Sequence, residues 1–244
     1  PFPYFRKTCL IGKGKVRRAV VYLCGLGCSQ LYLNGRAVEP DRILDPAQTD
    51  YDKKALYSAF DVTSLLVGGK NCIGVMLGAG WYNQDKVWGG GMTYGRPILR
   101  CQMRVEYASG KVETIGTDTS WKWADGPLGS SNVYQGDEYD ATREIDGWCE
   151  ASFDDSSWND AVKAGGVIPV RMAAQEIPPM RAFAPQKASA MWRSSKEGNV
   201  WIYDFGTNLT SEVVFSASLP RGVRLHTIGS EEIDPRTREI DVAS

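Results

Sequence analysis

Hydrophobic and polar positions alternate with a period of two along much of this chain, the repeat that sends successive side chains to opposite faces of a strand. In residues 29–33, Leu31 and Leu33 share one face while Gln30 and Tyr32 share the other. Asn34-Gly35 then supplies the positive φ angles of a two-residue hairpin turn, and Arg36-Ala37-Val38 returns. Residues 102–107 repeat the pattern, with Met103, Val105 and Tyr107 against Gln102, Arg104 and Glu106, and Ser109-Gly110 turns the chain into a partner strand over 111–115. A third hairpin is predicted where Val213, Phe215, Ala217 and Leu219 alternate, Pro220-Arg221-Gly222 turns, and Val223, Leu225 and Thr227 resume. Helical periodicity is scarce: short turns are expected at 62–66, capped by Asp61, and at 156–161, capped by Ser156 or Ser157. The fold class is therefore all-β, an antiparallel jelly-roll β-sandwich over residues 1–178 followed by the start of a second, incomplete β-sandwich over 179–244. The boundary falls near Pro178 because GGVIPV and EIPPMRAFAP carry prolines that remove backbone donors and resist helix and central strand.

A chain of 244 residues has room for two modest domains with buried cores. Lys and Arg number 28 against 29 Asp and Glu, so no field is available to hold a phosphate backbone or an anionic membrane. Nucleic acid and membrane are excluded as partners on that balance. The apolar runs, such as residues 19–23, fall far short of the roughly 20 residues that span a bilayer. The opening PFPYFRK has no initiator Met, no basic stretch and no apolar stretch, as expected of a processed chain or a piece of a larger one. The compartment is not fixed by these residues, with periplasm or exterior preferred to cytoplasm. Six cysteines lie dispersed in strand-like segments, and most are expected to be buried thiols. Cys24 and Cys28 stand four apart, but His226 is the single histidine, so a zinc site would lack its usual four ligands.

Candidate chemistry is sparse. A Ser-His-Asp or Cys-His arrangement would have to use His226, which alternates with Val223 and Leu225 and reads as a satisfied or surface residue. IGKGKVRR lacks the ending of a phosphate loop, and Gly89-Gly90-Gly91 reads as a loop without a cradle. A glycosidase needs two carboxyls roughly 5–5.5 Å or 6.5–9.5 Å apart. Asp50 with Asp52, or Glu138 with Asp140, would share a side of an extended chain, with Asp137 nearby; the plainer reading is that these carboxylates form turns. The stretch 43–82 and the loop GAGWYNQDKVWGGGMTYG have the make-up of a sugar-handling surface. Flat rings stack on the apolar face of a pyranose while amides and carboxylates take its hydroxyls. The substrate-binding candidates are Trp81, Tyr82, Trp88, Asp50, Asp52 and Asn83, with Gln84, Asp85 and Tyr94 beside them; closure of the core is the alternative for Trp81, and no residue is assigned a catalytic role. Trp121, Trp123, Trp148 and Trp158 sit beside turns and read as plugs of the sandwich core.

Several segments occur in a known order: FRKTCLI, RRAVVYLCGLGCSQLYLNGRAV, LDPAQTDYDKKALYSAFDVTSLL, GKNCIGVMLGAGWY, YGRPILRCQMRVEYASGKVETIGTDTSWK, YQGDEYDATREIDGW and FDDSSW. With YDFGTNLTSEVVF and GVRLHTIGSEEI after the Pro-rich stretch, the chain resembles the N-terminal part of bacterial α-L-rhamnosidases of glycoside hydrolase family 78. The resemblance implies that hydrolysis belongs to a following (α/α)6 barrel, for which no helical pattern exists here, so the isolated chain is expected to be inactive. It implies two partners, a rhamnose-containing carbohydrate and the catalytic domain of the parent polypeptide. Related modules bind rhamnose with help from calcium, an ion that takes about six to eight oxygens; Asp50, Asp52 and Asn83 are the candidate donors, and no further ligands are legible. Where the family often has PGWTDYD, this sequence has PAQTDYD, so Ala47 and Gln48 leave that loop one ring short. A purely structural or interaction sandwich without sugar binding is the alternative.

Overall fold

The computed structural model describes residues 1–85, 91–165 and 171–240. In chain order its strands are β1 (Pro3–Ile11), β2 (Val16–Leu26), β3 (Cys28–Leu33), β4 (Arg36–Ala37), β5 (Lys54–Asp61), β6 (Gly69–Gly78), β7 (Asn83–Gln84), β8 (Met92–Thr93) and β9 (Ile98–Tyr107). They continue as β10 (Val112–Gly116), β11 (Lys122–Asp125), β12 (Leu128–Asn132), β13 (Gly136–Tyr139), β14 (Asn159–Asp160), β15 (Arg171–Ala174), β16 (Ala190–Arg193) and β17 (Trp201–Asp204). The chain divides into two compact units, Pro1–Arg181 and Ala182–Ser244.

The first unit is a β-sandwich. One sheet runs β14-β11-β1-β6-β3-β4 and the other β10-β9-β2-β5-β15, antiparallel throughout except where β15 joins β5 in parallel. The core between them follows the alternation: Cys9 and Ile11 from β1, Val21 and Leu23 from β2, Leu31 and Leu33 from β3, Ile73, Val75 and Leu77 from β6, Met103 and Val105 from β9. Burying these faces removes apolar surface from water, which supplies the main driving force for the fold. Both predicted hairpins of this unit form. Asn34 has φ 50° and Gly35 φ 80°, and β3 pairs with β4 through Leu33 and Arg36. β10 pairs with β9 as expected from the Ser109-Gly110 turn.

The other expectations fare unevenly. A 3-10 turn forms at Thr63–Leu65, and Asp61 accepts from the Thr63 amide at 3.0 Å. Near residue 156 the chain makes a turn and then the short strand β14, and the side chain that accepts there is Asp154 rather than Ser156 or Ser157. A second 3-10 turn, Ala141–Arg143, is capped by Asp140 and has too little periodicity to be read from sequence. The third predicted hairpin is corrected: among the described residues, 213–227 form no strand, although Val223 donates to the Pro220 carbonyl at 3.2 Å in the expected turn. Val214 is 90% exposed and Phe215 56%. Alternation specifies a ladder only when one face is buried, and an unburied two-strand pair is marginal in water.

The six-stranded sheet is covered on its outer face, which the alternation does not announce. Residues 145–158 lie over it, with the Trp148 ring stacked on Tyr4 at 4.3 Å and edge-on to Tyr32 at 5.2 Å. Arg6, fully buried on that face, donates from Nε to the Trp148 carbonyl at 2.8 Å and from Nη2 to the Glu150 carbonyl at 2.9 Å, and pairs through Nη1 with the Asp155 carboxylate. Its guanidinium also lies 5.2 Å from the centre of the Phe153 ring. Of the four tryptophans expected in the core, Trp121 is there; Trp158 is buried edge-on to Phe153, while Trp123 and Trp148 are half-buried. These two are corrections, since each keeps part of its surface in water.

All six cysteines are free thiols, five of them buried. Burial pushes the Cys9 and Cys24 thiols up to about 11. In the second unit β16 and β17 form a hairpin; Glu239 accepts from the Ser194 hydroxyl at 2.8 Å and from the Ser195 amide at 2.7 Å, and Trp192 Nε1 donates to the Arg238 carbonyl at 2.9 Å. His226 lies exposed in this unit, outside any strand.

Candidate functional site

The loop after β6 begins where Ala79 leaves the sheet, and it is organised by side chains that were expected to face a ligand. Tyr82 is only 5% exposed. Its hydroxyl donates to the Tyr94 carbonyl at 3.2 Å, its carbonyl accepts from the Tyr94 amide at 3.1 Å, and the two rings lie 5.7 Å apart. Tyr51 meets both rings edge-on at 5.2 Å. Tyr51 and Tyr82 with Cys24, Leu26 and Ala55 make a second apolar cluster, whose strand residues have the parity opposite to the core. Burial raises the Tyr82 phenol above its ordinary value, and Tyr51 more so, so both remain neutral. Tyr82 is thus a support for the loop, its ring faces largely covered. Gln84 is a further correction: expected beside the hydroxyl-binding groups, it is fully buried, accepting from the Val133 amide at 3.1 Å and donating to the Gly80 carbonyl.

Trp81 is half-buried, packed on this cluster and edge-on to Tyr134 at 5.8 Å. Asn83 is half-buried in the short β7–β8 ladder, where its Oδ1 accepts from the Thr93 hydroxyl at 2.7 Å. Trp88 lies outside the described residues. A cleft of about 1600 Å³ opens beside the loop, and its lining takes in Tyr82, Asn83, Asp85, Tyr94 and Arg96 but not Trp81, Asp50 or Asp52. The last two flank Tyr51 in a tight turn: Asp50 pairs with Lys53 at 2.7 Å and accepts from the Asp52 amide at 3.2 Å. The hydrogen bond from Lys53 holds the exposed Asp50 carboxyl below the usual range. The structure therefore gathers Tyr82 and Asn83 on one cleft and leaves Trp81 out of its lining and the two aspartates on a separate turn.

Those donors do not fit a calcium ion. Asp50 already faces the Lys53 ammonium, and Asn83 Oδ1 already accepts from Thr93. Among the described residues no three His, Cys, Asp or Glu side chains gather in one place. The carboxylate pair Glu138 and Asp140 does not make a cleft either: Asp140 caps the 3-10 turn, accepting from the Thr142 amide at 3.0 Å and its hydroxyl at 2.6 Å, and Glu138 stands exposed on β13. What sequence reasoning missed is Tyr51, the centre of the aromatic cluster. Its signal was there in TDYDKK, where alternation places it opposite both aspartates.

Several turn carboxylates have a consequence for pH dependence. Asp61 is held below its ordinary value by hydrogen bonds from Thr63, Asp118 by those from Ser120, and Asp154 by that from the Ser156 amide. A depressed folded value stabilises the fold above the unfolded value, and this contribution is lost as pH falls through the folded one. The thermal midpoint should therefore be flat from neutral pH down to about pH 4 and fall with further acidification. A midpoint that rises on acidification in calorimetry would contradict the assignment.

Comparison with known proteins identifies the family of the chain. Residues 14–184 match the family described as alpha-L-rhamnosidase N-terminal domain. An α-L-rhamnosidase of Formosa agariphila is 35% identical over 243 residues, covering 97% of this chain and 25% of that protein. The solved α-L-rhamnosidase of Dictyoglumus thermophilum is 40% identical with a TM-score of 0.75, covering 85% of this chain and 22% of that one. The Streptomyces avermitilis enzyme, solved with L-rhamnose, is 33% identical with a TM-score of 0.79, covering 85% and 20%. The chain spans about a quarter of the length of the relatives it matches. With most of the first unit inside the matched span, this chain belongs to the α-L-rhamnosidase N-terminal domain family.

Proposed function

We propose that the chain is a non-catalytic part of an α-L-rhamnosidase, supporting a catalytic domain carried elsewhere in a longer polypeptide, with residues 179–244 beginning a second β-sandwich. In this reading it also offers a rhamnoside a surface at Trp81 and Asn83, held in place by Tyr82 and bordered by the cleft. The observation that carries the proposal is the fate of the carboxylates: Asp50 and Asp140 are committed to turns, which leaves neither candidate pair a free acid and base. The sugar-binding part rests on the half-buried indole of Trp81, next in the chain to Tyr82 and Asn83, which line a cleft with both aromatic and polar groups.

The chain alone should release no nitrophenol from an aryl α-L-rhamnoside. L-Rhamnose should cause a saturable change in tryptophan fluorescence that Trp81→Ala removes. Turnover abolished by Glu138→Gln would make the chain a glycosidase in its own right. The absence of any saturable change would leave the purely structural reading, which the burial of Tyr82 and Gln84 favours.

A further inference from the structure

Outside the loop just described, two thiols on different elements meet beneath the covering segment. Cys72, on the outer-facing positions of β6, and Cys149, in the segment 145–158, have their Sγ atoms 3.9 Å apart, and both are buried. Cys149 Sγ also lies 3.8 Å from the Cys72 carbonyl, and Arg6 Nη2 lies 3.4 Å from Cys72 Sγ. The Cys149 backbone is fixed by its carbonyl, which accepts from the Gly35 amide at 3.0 Å. The hydrogen bond from Cys149, with the Arg6 guanidinium beside it, holds the Cys72 thiol below its ordinary value against the effect of burial; the same contact raises Cys149. Two thiols in contact, on elements distant in sequence, are the arrangement that thiol–disulfide exchange can close to a bond.

We propose that Cys72 and Cys149 are a redox-active pair that closes to a disulfide in the presence of a low-molecular-weight disulfide such as oxidised glutathione, fastening the 145–158 segment to the six-stranded sheet. Exchange proceeds from an opened form of the segment, because both sulfurs are covered when it is docked. In that opened form Cys72 gives its proton to solvent and attacks one glutathione sulfur, the glutathione S–S bond breaks, and the other glutathione leaves as a thiolate that is protonated. Cys149 gives its proton to solvent and attacks the Cys72 sulfur, and the second glutathione leaves and is protonated. The two cysteines lose two electrons and the glutathione disulfide gains them. Closure needs the sulfurs to approach from 3.9 Å to about 2.05 Å.

The test is to equilibrate the full chain in glutathione buffers of rising oxidised fraction, block free thiols, and map the digested protein by mass spectrometry while following thermal unfolding. The expected result is a single cross-linked species joining the Cys72 and Cys149 peptides. Because the two residues are 77 positions apart, the thermal midpoint should rise by about 5–10 °C. Dithiothreitol should reverse both changes, and Cys149→Ser should abolish both. If that variant does not fold, the wild-type chain with and without dithiothreitol supplies the same comparison. Six blocked thiols at every glutathione ratio, a bond from Cys72 to its neighbour Cys9 instead, or a cross-link that leaves the midpoint unmoved would each overturn the proposal.

Discussion

Gly74→Ala should lower the stability of the first unit by about 3 kcal/mol, although it adds one methyl group to a strand. Gly74 sits on β6 between Arg6 of β1 and Tyr32 of β3. A Cβ placed there would come within 2.7 Å of the Trp148 ring and closer still to Cys149 Sγ. The indole cannot retreat without leaving Tyr4, on which it is stacked, and the cysteine backbone is held to the Gly35 amide. The extra carbon must therefore lift the 145–158 segment or distort the sheet, and close-packed interiors resist both. Gly68→Ala serves as the control, because a Cβ at Gly68 meets nothing within 4 Å. Urea unfolding should show a lowered midpoint for Gly74→Ala and a change within about 0.5 kcal/mol for Gly68→Ala. Equal midpoints for the two variants would mean that the covering segment is not packed on Gly74.

Arg6→Met should cost about 3–5 kcal/mol, the range for breaking a buried ion pair by removing one partner. The methionine fills much of the same space, so the loss comes from the groups left behind. Two backbone carbonyls, those of Trp148 and Glu150, lose their donor, and the Asp155 carboxylate, 28% exposed, loses its counter-charge. Each uncompensated polar group carries its own desolvation cost. Asp155→Asn should cost a comparable amount, because it leaves the fully buried guanidinium without a counter-charge although its two carbonyl acceptors remain. Added salt should change the difference between wild type and Arg6→Met little, since a buried pair is screened far less than a surface one. The readout is the unfolding midpoint together with Trp fluorescence, which should shift as Trp148 and Trp158 gain water. A destabilisation below about 1 kcal/mol would assign Arg6 to the class of weak surface pairs.

Both variants act on a part of the molecule that was hard to read. FRKTC looks like an edge-strand sequence with solvent-facing charges, and nothing in its spacing says that Arg6 is wholly buried. The cover comes from residues more than 140 positions away, in a stretch with little regular secondary structure. The same limit explains Trp148, whose turn setting was legible and whose stacking on Tyr4 was not. In the candidate site, the residue types were legible and their exposure was not. Tyr82 and Gln84 looked available for a sugar and are buried, whereas Trp81 and Asn83 keep part of their surface. Asp50 and Asp52 behave as the turn-forming reading requires, with Tyr51 turned away from them into the aromatic cluster.

Sequence alone determined the features that are local or periodic. The Asn34-Gly35 hairpin follows from positive φ angles that few residues accept, the sandwich core from period-two alternation on strands with one buried face, and the family from ordered segments along the chain. Tertiary structure decided what lies on the outer faces: the clamp of Arg6, the meeting of Cys72 with Cys149, the burial of Tyr82 and Gln84, and the unpaired state of residues 213–227. The physical reason is that a side chain's burial and hydrogen-bond partners are set by whichever distant segment packs against it. Alternation tells which side of a strand a residue occupies, and only the assembled sandwich tells what is waiting on that side.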